Sequence, residues 1–276
     1  MVDVALPIGR PRQLNLKRLY GFGGIAMACL VVLYAPILIL IGYSFNETRS
    51  VSQWSQFSLD WYVKAFNNDE IWDAAYNTMR IAIVATIGST VIATAAALAT
   101  TRVRPWRGMM PSYMVINLPL MVPEIVTAIA TLSFFGLIAG IVGFRFGIIQ
   151  LMVAHLVFCI PFAYMPIRAR LEDMDLTLEQ AAADLYATPW QAFRRVTLPL
   201  LMPGIIAGAT LAFVVSFDDF TITVMLVGPG ETTLPIHVWT SLRRGITPEI
   251  NAMSTILLGI SILLVSLSFL IGRKRS

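Results

Sequence analysis

The chain has 276 residues, of which 57% are hydrophobic and 13% charged, and its mean hydropathy is +0.74. Soluble domains carry about 25% charged residues, so this composition excludes an ordinary soluble globular protein. The net charge of +4 arises from basic residues spread thinly over several segments, which argues against a nucleic-acid-binding surface.

Apolar stretches recur along the whole chain at the length that a bilayer requires, about 20 residues per helix. Six of them are found at 21–43, 76–100, 111–139, 148–167, 203–226 and 250–271. Basic residues lie mainly before the first stretch, after the second, between the fourth and fifth, and after the sixth. Because positive residues stay on the cytoplasmic side, both termini are expected in the cytoplasm. We therefore predict an all-α integral membrane protein with six transmembrane helices.

This topology predicts one domain. The transmembrane domain covers residues 21–272, and short cytoplasmic tails at 1–20 and 273–276 flank it.

The segment after the first span is predicted to lie outside and is rich in aromatic residues, including Trp54 and Trp61. Aromatic side chains commonly anchor a membrane protein at the interface. An alternative is an aromatic wall along a substrate pathway, where ammonium groups make cation–π contacts.

The third stretch contains an acid directly after a proline, in "LPLMVPEIVTAI", where Glu124 follows Pro123. Pro119 and Pro123 are expected to kink this helix and to free backbone carbonyls, which is tolerated beside a cavity or another helix.

Residues 168–202 are too polar to span a membrane and too regular for a slack linker. Thr177, with Gln180 three residues later, predicts the start of one short helix. Thr188-Pro189 predicts the start of a second, ending near Leu198-Pro199. These two helices between the fourth and fifth spans would form a knob on the cytoplasmic face, although an ordinary amphipathic loop remains an alternative.

The fifth stretch contains "SFDDFTIT", in which Asp218 and Asp219 are the only charges between Pro203 and Val227. A carboxylate within a membrane helix costs about 2.5–3.5 kcal/mol on insertion scales and usually faces a polar cavity. Glu124 and the two aspartates are expected at similar depth, with no membrane-embedded base to pair with them. They therefore favour a pathway for a cationic solute, with helix capping plus an interhelical hydrogen bond as the alternative.

Catalytic motifs were not found. No lysine follows a glycine, so the GK[ST] phosphate loop is missing. His155 and His237 lack an HExxH context and are interpreted as hydrogen-bonding histidines rather than metal ligands. The chain is not expected to be an enzyme, nor to bind a metal or cofactor itself.

The segment "QAAADLYATPWQAFRRVTLP" resembles the EAA loop of the membrane subunits of ATP-binding-cassette importers. Gln180-Ala181-Ala182 stand at E-A-A, Tyr186 at the glycine, and Leu198-Pro199 at the final L-P. The block "SFDDFTITVMLVGPGETTLPIHVWTSLRRGITPEINAMSTILL" and two earlier segments resemble the polyamine (spermidine/putrescine) branch of that family.

Two residues depart from the family pattern. Gln180 replaces the expected acid, although Glu179 directly before it could supply a carboxylate. Tyr186 replaces a glycine that would end the first short helix with positive φ, so either Tyr186 is strained by about 1–3 kcal/mol or the helix continues through it.

The resemblance implies a multi-pass permease subunit of a polyamine importer in the bacterial inner membrane. Its implied partners are a second homologous permease, two ATPase subunits that bind the ATP, and a periplasmic substrate-binding protein. A permease for another cationic or small organic solute is the nearest alternative. An ion-coupled secondary transporter would explain the intramembrane acids but not the EAA-like loop.

Overall fold

The computed structural model describes residues 20–48, 53–103, 106–144, 146–244 and 248–273, and within them the chain is helical with no strand. The predicted tails at 1–20 and 273–276 lie outside these residues except for Tyr20 and Arg273. The helices are α1 (Tyr20–Tyr43), α2 (Asp60–Phe66), α3 (Asp69–Thr101), α4 (Met109–Met121), α5 (Glu124–Val142), α6 (Ile148–Asp173), α7 (Thr177–Asp184), α8 (Pro189–Ala192), α9 (Leu198–Phe217), α10 (Thr221–Leu226), α11 (Leu234–Arg244) and α12 (Pro248–Arg273).

Five helical segments of the described chain are long and apolar enough to cross a bilayer. They are Gly23–Tyr43, Asp69–Thr101, Glu124–Val142, Ile148–Asp173 and Pro189–Phe217. The predicted sixth span appears as the shorter apolar stretch Pro248–Leu263. The all-helical class is thus confirmed, and five of the six predicted spans have a matching apolar helix.

Two predicted spans are interrupted. The third is divided into α4 and α5 at Val122-Pro123, whereas Pro119 remains inside α4. The predicted kink is thus a complete break at the second proline, because Val122 adopts an extended backbone and the new helix begins only after Pro123. The fifth span is interrupted between α9 and α10, next to the two aspartates.

The core of the bundle consists of α3, α6 and α9, which pack against one another through small residues. Gly204 and Gly208 on α9 face α6 so closely that a Cβ at Gly208 would lie 2.6 Å from the carbonyl oxygen of Ala163. Ala93 and Ala97 of α3 are fully buried in the same cluster. Small side chains let these helix backbones approach closely, as is typical of helix pairs inside membranes.

Hydrogen bonds tie the helix ends together at both ends of the bundle. At one end, Thr78 of α3 accepts from the backbone N–H of Leu234, and Asn68 contacts Glu249 at 3.4 Å. At the opposite end, Arg170 of α6 donates to the carbonyl of Leu200. The end with the Thr78 and Asn68 contacts is called the α11 end, and the end with the Arg170 contact is called the α7 end. Each is named after the short helix that lies there.

Candidate functional site

Asp218 and Asp219 lie at a break between two helices. The sequence had suggested a position within one continuous helix. The helix α9 ends at Phe217, Asp218 follows as its C-terminal cap residue, and α10 begins at Thr221. On one continuous helix the two side chains would point about 100° apart, and at this break they need not.

Asp219 caps the first turn of α10. Its carboxylate accepts from the backbone N–H of Ile222 at 3.4 Å and of Thr223 at 3.0 Å, and from the Thr223 hydroxyl at 3.0 Å. Its side chain is 5% exposed. A carboxylate in this position satisfies N–H groups that have no partner within the helix. The capping role that the sequence left as an alternative is thus found for Asp219.

The expectation that no membrane-embedded base accompanies the acids is wrong. His155 of α6 is buried, and its Nε2 lies 3.5 Å from Oδ2 of Asp219. The same ring contacts the Ser216 hydroxyl through Nδ1 at 2.9 Å and the Thr223 hydroxyl through Nε2 at 3.0 Å. The interpretation of His155 as a hydrogen-bonding histidine is confirmed. Its contact with an acid was missed, because residues 155 and 219 are remote in the sequence and share no motif.

Asp218 has different surroundings from its neighbour. It is exposed and lines a cavity of about 470 Å³ bounded by α1, α9, α11 and α12. Its carboxylate is the one charged group lining this cavity among the described residues. Phe220 and Trp239 line the same cavity, and the centres of their rings are 5.2 Å apart. The Trp239 ring already has the guanidinium of Arg243 5.1 Å from its centre. A carboxylate beside the Phe220 ring suits an ammonium group, since both attract a cation.

Glu124 is the first residue of α5 and is exposed. One turn later, Ala128 is buried in a cluster that also contains Ile222 of α10. The three acids thus precede two helices that share a buried cluster. An acid in the first turn is also favourable for the helix itself, because the helix dipole is positive there.

The two predicted pathway tryptophans are in different environments. Trp61 is 5% exposed, and its indole N–H donates to the carbonyl of Asn46 at 2.8 Å. The ammonium group of Lys64 already lies 4.2 Å from the centre of its ring. Trp54 is 53% exposed and makes an edge contact with Tyr43. Of the two, Trp54 has the accessible ring, while Trp61 packs the segment between α1 and α3.

At the α7 end, the predicted helix starts are found where the sequence indicates. The helix α7 begins at Thr177, whose N–H bonds to the Asp175 carboxylate at 2.9 Å. This hydrogen bond holds the pKa of Asp175 below its ordinary value. The helix α8 begins at Pro189, with a reciprocal capping box between Thr188 and Gln191.

The predicted end of the second short helix at Leu198-Pro199 is wrong. After α8, Phe193–Thr197 form one turn of π-helix, and α9 follows directly from Leu198. Pro199 is the second residue of α9 and lies directly after this turn. The chain therefore leaves this region as one continuous helical segment, Pro189–Phe217.

Tyr186 adopts φ of 59°, so the first of the two alternatives for this residue is confirmed. The N–H of Ala187 bonds to the carbonyl of Ala182, and the N–H of Tyr186 bonds to that of Ala183. This pair of bonds is the Schellman motif that ends a helix, with Tyr186 at the position that glycine usually occupies. The Tyr186 side chain is 96% exposed and so gains little packing in return.

Glu179 faces the protein rather than solvent. Its carboxylate pairs with Arg102 Nε at 3.1 Å and accepts from the Thr197 hydroxyl at 3.0 Å. It thus joins three elements, the end of α3, the helix α7 and the π-helical turn. Gln180, at the position of the expected acid, is exposed.

A second face of α7 carries exposed or half-exposed apolar side chains at spacings of three and four residues. They are Leu178, Ala181, Ala182 and Leu185. We call these four residues the α7 stripe.

No group of three or more His, Cys, Asp or Glu side chains with metal-site geometry occurs in the part of the chain that the structure describes.

Comparison with known proteins is consistent with these features. Residues 89–274 match the family described as "Binding-protein-dependent transport system inner membrane component". The chain is 38% identical to the Escherichia coli K12 putrescine transport system permease protein PotI, covering 82% of each chain. It is 35% identical to the spermidine/putrescine transport system permease protein PotC of the same strain, covering 92% of this chain and 94% of PotC.

Solved structures show the same fold at low sequence identity. A chain of a bacterial ABC transporter involved in the import of the acidic polysaccharide alginate matches with a TM-score of 0.76 at 16% identity, covering 93% of this chain and 95% of the other. A chain of the MetNI methionine ABC transporter in an inward-facing conformation matches with a TM-score of 0.63 at 19% identity, covering 74% and 94%.

Proposed function

Since the chain belongs to the family of binding-protein-dependent transport system inner membrane components, we propose that it is a permease subunit of an ATP-driven importer of polyamines. The observation that carries the substrate class is the identity of 38% and 35% to PotI and PotC over most of the chain. The position of Asp218 supports it, because an exposed carboxylate in a largely apolar cavity suits an organic cation.

The proposed topology has six spans, with the α7 end in the cytoplasm and the α11 end outside. Fourteen of the twenty Lys and Arg residues then lie on the cytoplasmic side. The interrupted pairs α4–α5 and α9–α10 each count as one span, and α12 is the sixth. Successive spans would then join the two ends in alternation. The contacts of Thr78 with Leu234 at one end and of Arg170 with Leu200 at the other support this arrangement.

The helices α7 and α8 are proposed as the coupling helices that dock on a separate ATPase subunit. The α7 stripe supports this, because it is an apolar surface of the kind that a partner covers. The contacts of Glu179 with Arg102 and Thr197 link the docking helix to α3 and α9, so that movement of the knob would tilt the spans.

The proposed complex contains this chain, a second homologous permease, two ATPase subunits and a periplasmic protein that delivers the polyamine. It lies in the bacterial inner membrane. ATP binds the partner ATPases, and this chain contributes the pathway and the docking surface.

Reconstitution tests the proposal. The assembled complex in liposomes should hydrolyse ATP faster when its binding protein carries putrescine or spermidine, and should accumulate the labelled amine. Butane-1,4-diol is the matched control, because it keeps the carbon chain of putrescine and lacks both amines. Stimulation by an unrelated solute but by no amine would overturn the substrate class, and uptake driven by an ion gradient without ATPases would overturn the importer.

A further inference from the structure

The α9–α10 break is held on both sides by one side chain from a third helix. His155 of α6 contacts Ser216, two residues before Asp218, and Thr223, five residues after it. The ring is 2% exposed, so these contacts do not compete with water. A break in a membrane helix leaves backbone groups unpaired, and Asp219 satisfies two of them at the start of α10.

The donors and acceptors in this cluster allow one consistent arrangement when Asp219 is ionised and His155 is neutral. A carboxylate only accepts, so the Thr223 hydroxyl donates to Asp219. The Thr223 oxygen then accepts from Nε2–H of His155, and Nδ1 accepts from the Ser216 hydroxyl. The hydrogen bonds run in one direction from Ser216 through His155 and Thr223 to Asp219, and each of these side chains has a partner.

This arrangement determines which aspartate is available to a ligand. Asp219 is drawn into the protein by Thr223 and His155, and the residue before it is left exposed in the 470 Å³ cavity. We propose that His155 is a positioning residue for polyamine transport, which fixes the α9–α10 break so that Asp218 presents its carboxylate to the substrate. The substrate named in this inference rests on the proposed function. The positioning of Asp218 rests on the contacts of His155 described above.

The test is a double-mutant cycle on the reconstituted complex with His155→Phe and Asp218→Asn. Phenylalanine keeps a planar ring and removes both hydrogen bonds of His155. His155→Phe should raise the half-saturating polyamine concentration about tenfold, since a displacement of about 1 Å in a positioned group can cost up to about a hundredfold. The maximal uptake rate per assembled complex should change much less.

The cycle separates positioning from general stability. If His155 acts through Asp218, adding His155→Phe to Asp218→Asn should have little further effect on the half-saturating concentration. Additive effects in the double variant would overturn the proposal. Ser216→Ala removes a single hydrogen bond from the cluster and should give a smaller shift in the same direction, which keeps the test open if His155→Phe assembles poorly.

A second measurement does not depend on the substrate. Amide hydrogen exchange at residues 218–223 should be faster in His155→Phe than in the wild type, with exchange in α3 unchanged. If the wild-type complex transports no polyamine but exchange at the break is still faster in the variant, the proposed function fails while the positioning stands. Unchanged exchange at the break would overturn the positioning itself.

Discussion

Asp218 and Asp219 are adjacent in the chain but belong to different parts of the structure. Asp219 is a cap residue with the buried His155 at 3.5 Å, while Asp218 is exposed in the cavity beside Phe220 and Trp239. Of this pair of predicted pathway acids, only Asp218 therefore has an available carboxylate. The contribution of Glu124 at the start of α5 stays a prediction.

Replacing Asp218 by Asn should weaken the uptake of polyamines at low concentration. The change keeps the shape of the side chain and deletes one charge. An ammonium–carboxylate contact at about 4 Å is worth up to ~4 kcal/mol in a partly wet site before desolvation, so a net loss of about 1–3 kcal/mol is expected. This corresponds to a loss of up to about two orders of magnitude in apparent affinity. Uptake measured against polyamine concentration, normalised to assembled complex, checks the value.

Asp219→Asn is the matched control for this prediction, because it makes the same chemical change one residue away. Asparagine caps a helix about as well as aspartate, so the cap on α10 should be largely retained. A smaller loss of affinity than in Asp218→Asn is expected. Equal losses in the two variants, or a wild-type affinity in Asp218→Asn, would contradict the assignment of Asp218 to the pathway.

Tyr186→Gly should be neutral or slightly stabilising. Its positive φ strains any residue with a Cβ, and glycine removes that strain. Glycine also makes the unfolded chain more flexible. This lowers the free energy of unfolding by about 0.4–1 kcal/mol and so offsets part of the stabilisation. Thermal unfolding in detergent measures the balance, with Tyr186→Ala as the control that loses the ring but keeps the strained Cβ. A lower melting temperature for the glycine variant than for the alanine variant would be inconsistent with this account.

At the level of helices, the sequence predicts starts and lengths better than interruptions. Thr188-Pro189 is a local helix-start signal, and the helix begins where it lies. The break after Phe217 has no proline or glycine to mark it in "SFDDFTIT". The residues on its two sides contact His155, which is far away in the sequence, so an apolar pattern alone predicts one continuous helix.

Local signals gave mixed results elsewhere. The helix end predicted at Leu198-Pro199 is wrong, and at Tyr186 the sequence left two alternatives open, of which the strained one is found. The proline was interpreted as a helix end, but the π-helical turn before it carries the helix on into α9. At Tyr186 the family pattern places a glycine, and the backbone keeps the glycine conformation although the residue has changed. Features set by the local backbone could be predicted, and features set by packing between distant helices could not.

The packing of α6 against α9 predicts a large effect from one methyl group. In Gly208→Ala the new Cβ would lie 2.6 Å from the backbone oxygen of Ala163, so the two helices would have to move apart. A loss of about 1–3 kcal/mol in stability is expected from such overpacking. Gly136→Ala on α5 is the matched control, since nothing lies within 4 Å of its added Cβ. Thermal unfolding of the two variants should differ clearly, and equal stability would argue against the close approach of α6 and α9.

The pairing of Arg102 with Glu179 predicts the outcome of a charge exchange. Arg102→Glu or Glu179→Arg alone replaces this 3.1 Å ion pair by neighbouring like charges at the junction of α3, α7 and the π-helical turn. Each should lower ATP-dependent uptake severalfold, because like-charge contacts loosen the link between the knob and the spans. The double variant should recover part of the uptake, measured together with ATP hydrolysis. A double variant no better than the worse single variant would show that the pair does not link these elements.

At the level of the whole molecule, the two proposed functional regions lie apart in the bundle and are joined by a continuous helical segment. The α7 end carries the proposed docking surface, and the acids lie near the interruptions of the third and fifth spans. The segment Pro189–Phe217 runs directly from the knob to Asp218. Motion at the knob would therefore reach the substrate site through one helical segment, with α6 packed along it.

Ala182→Arg should uncouple ATP hydrolysis from uptake in the assembled complex. Ala182 belongs to the α7 stripe. An arginine there would either lose the hydration of its charge when the partner docks, which is costly, or hold the partner surface away. Ala183→Arg is the matched control, because Ala183 is exposed, as Ala182 is in part, but lies about 100° further round the helix, outside the stripe. Both variants carry the same added charge, and both residues are good helix formers, so their effects on α7 itself should be similar. Uptake and ATP hydrolysis should be measured on complexes of equal subunit content, and uptake in Ala182→Arg should fall far below that in Ala183→Arg. Normal ATP-driven uptake in a correctly inserted Ala182→Arg complex, or equal losses in both variants, would contradict docking through the α7 stripe.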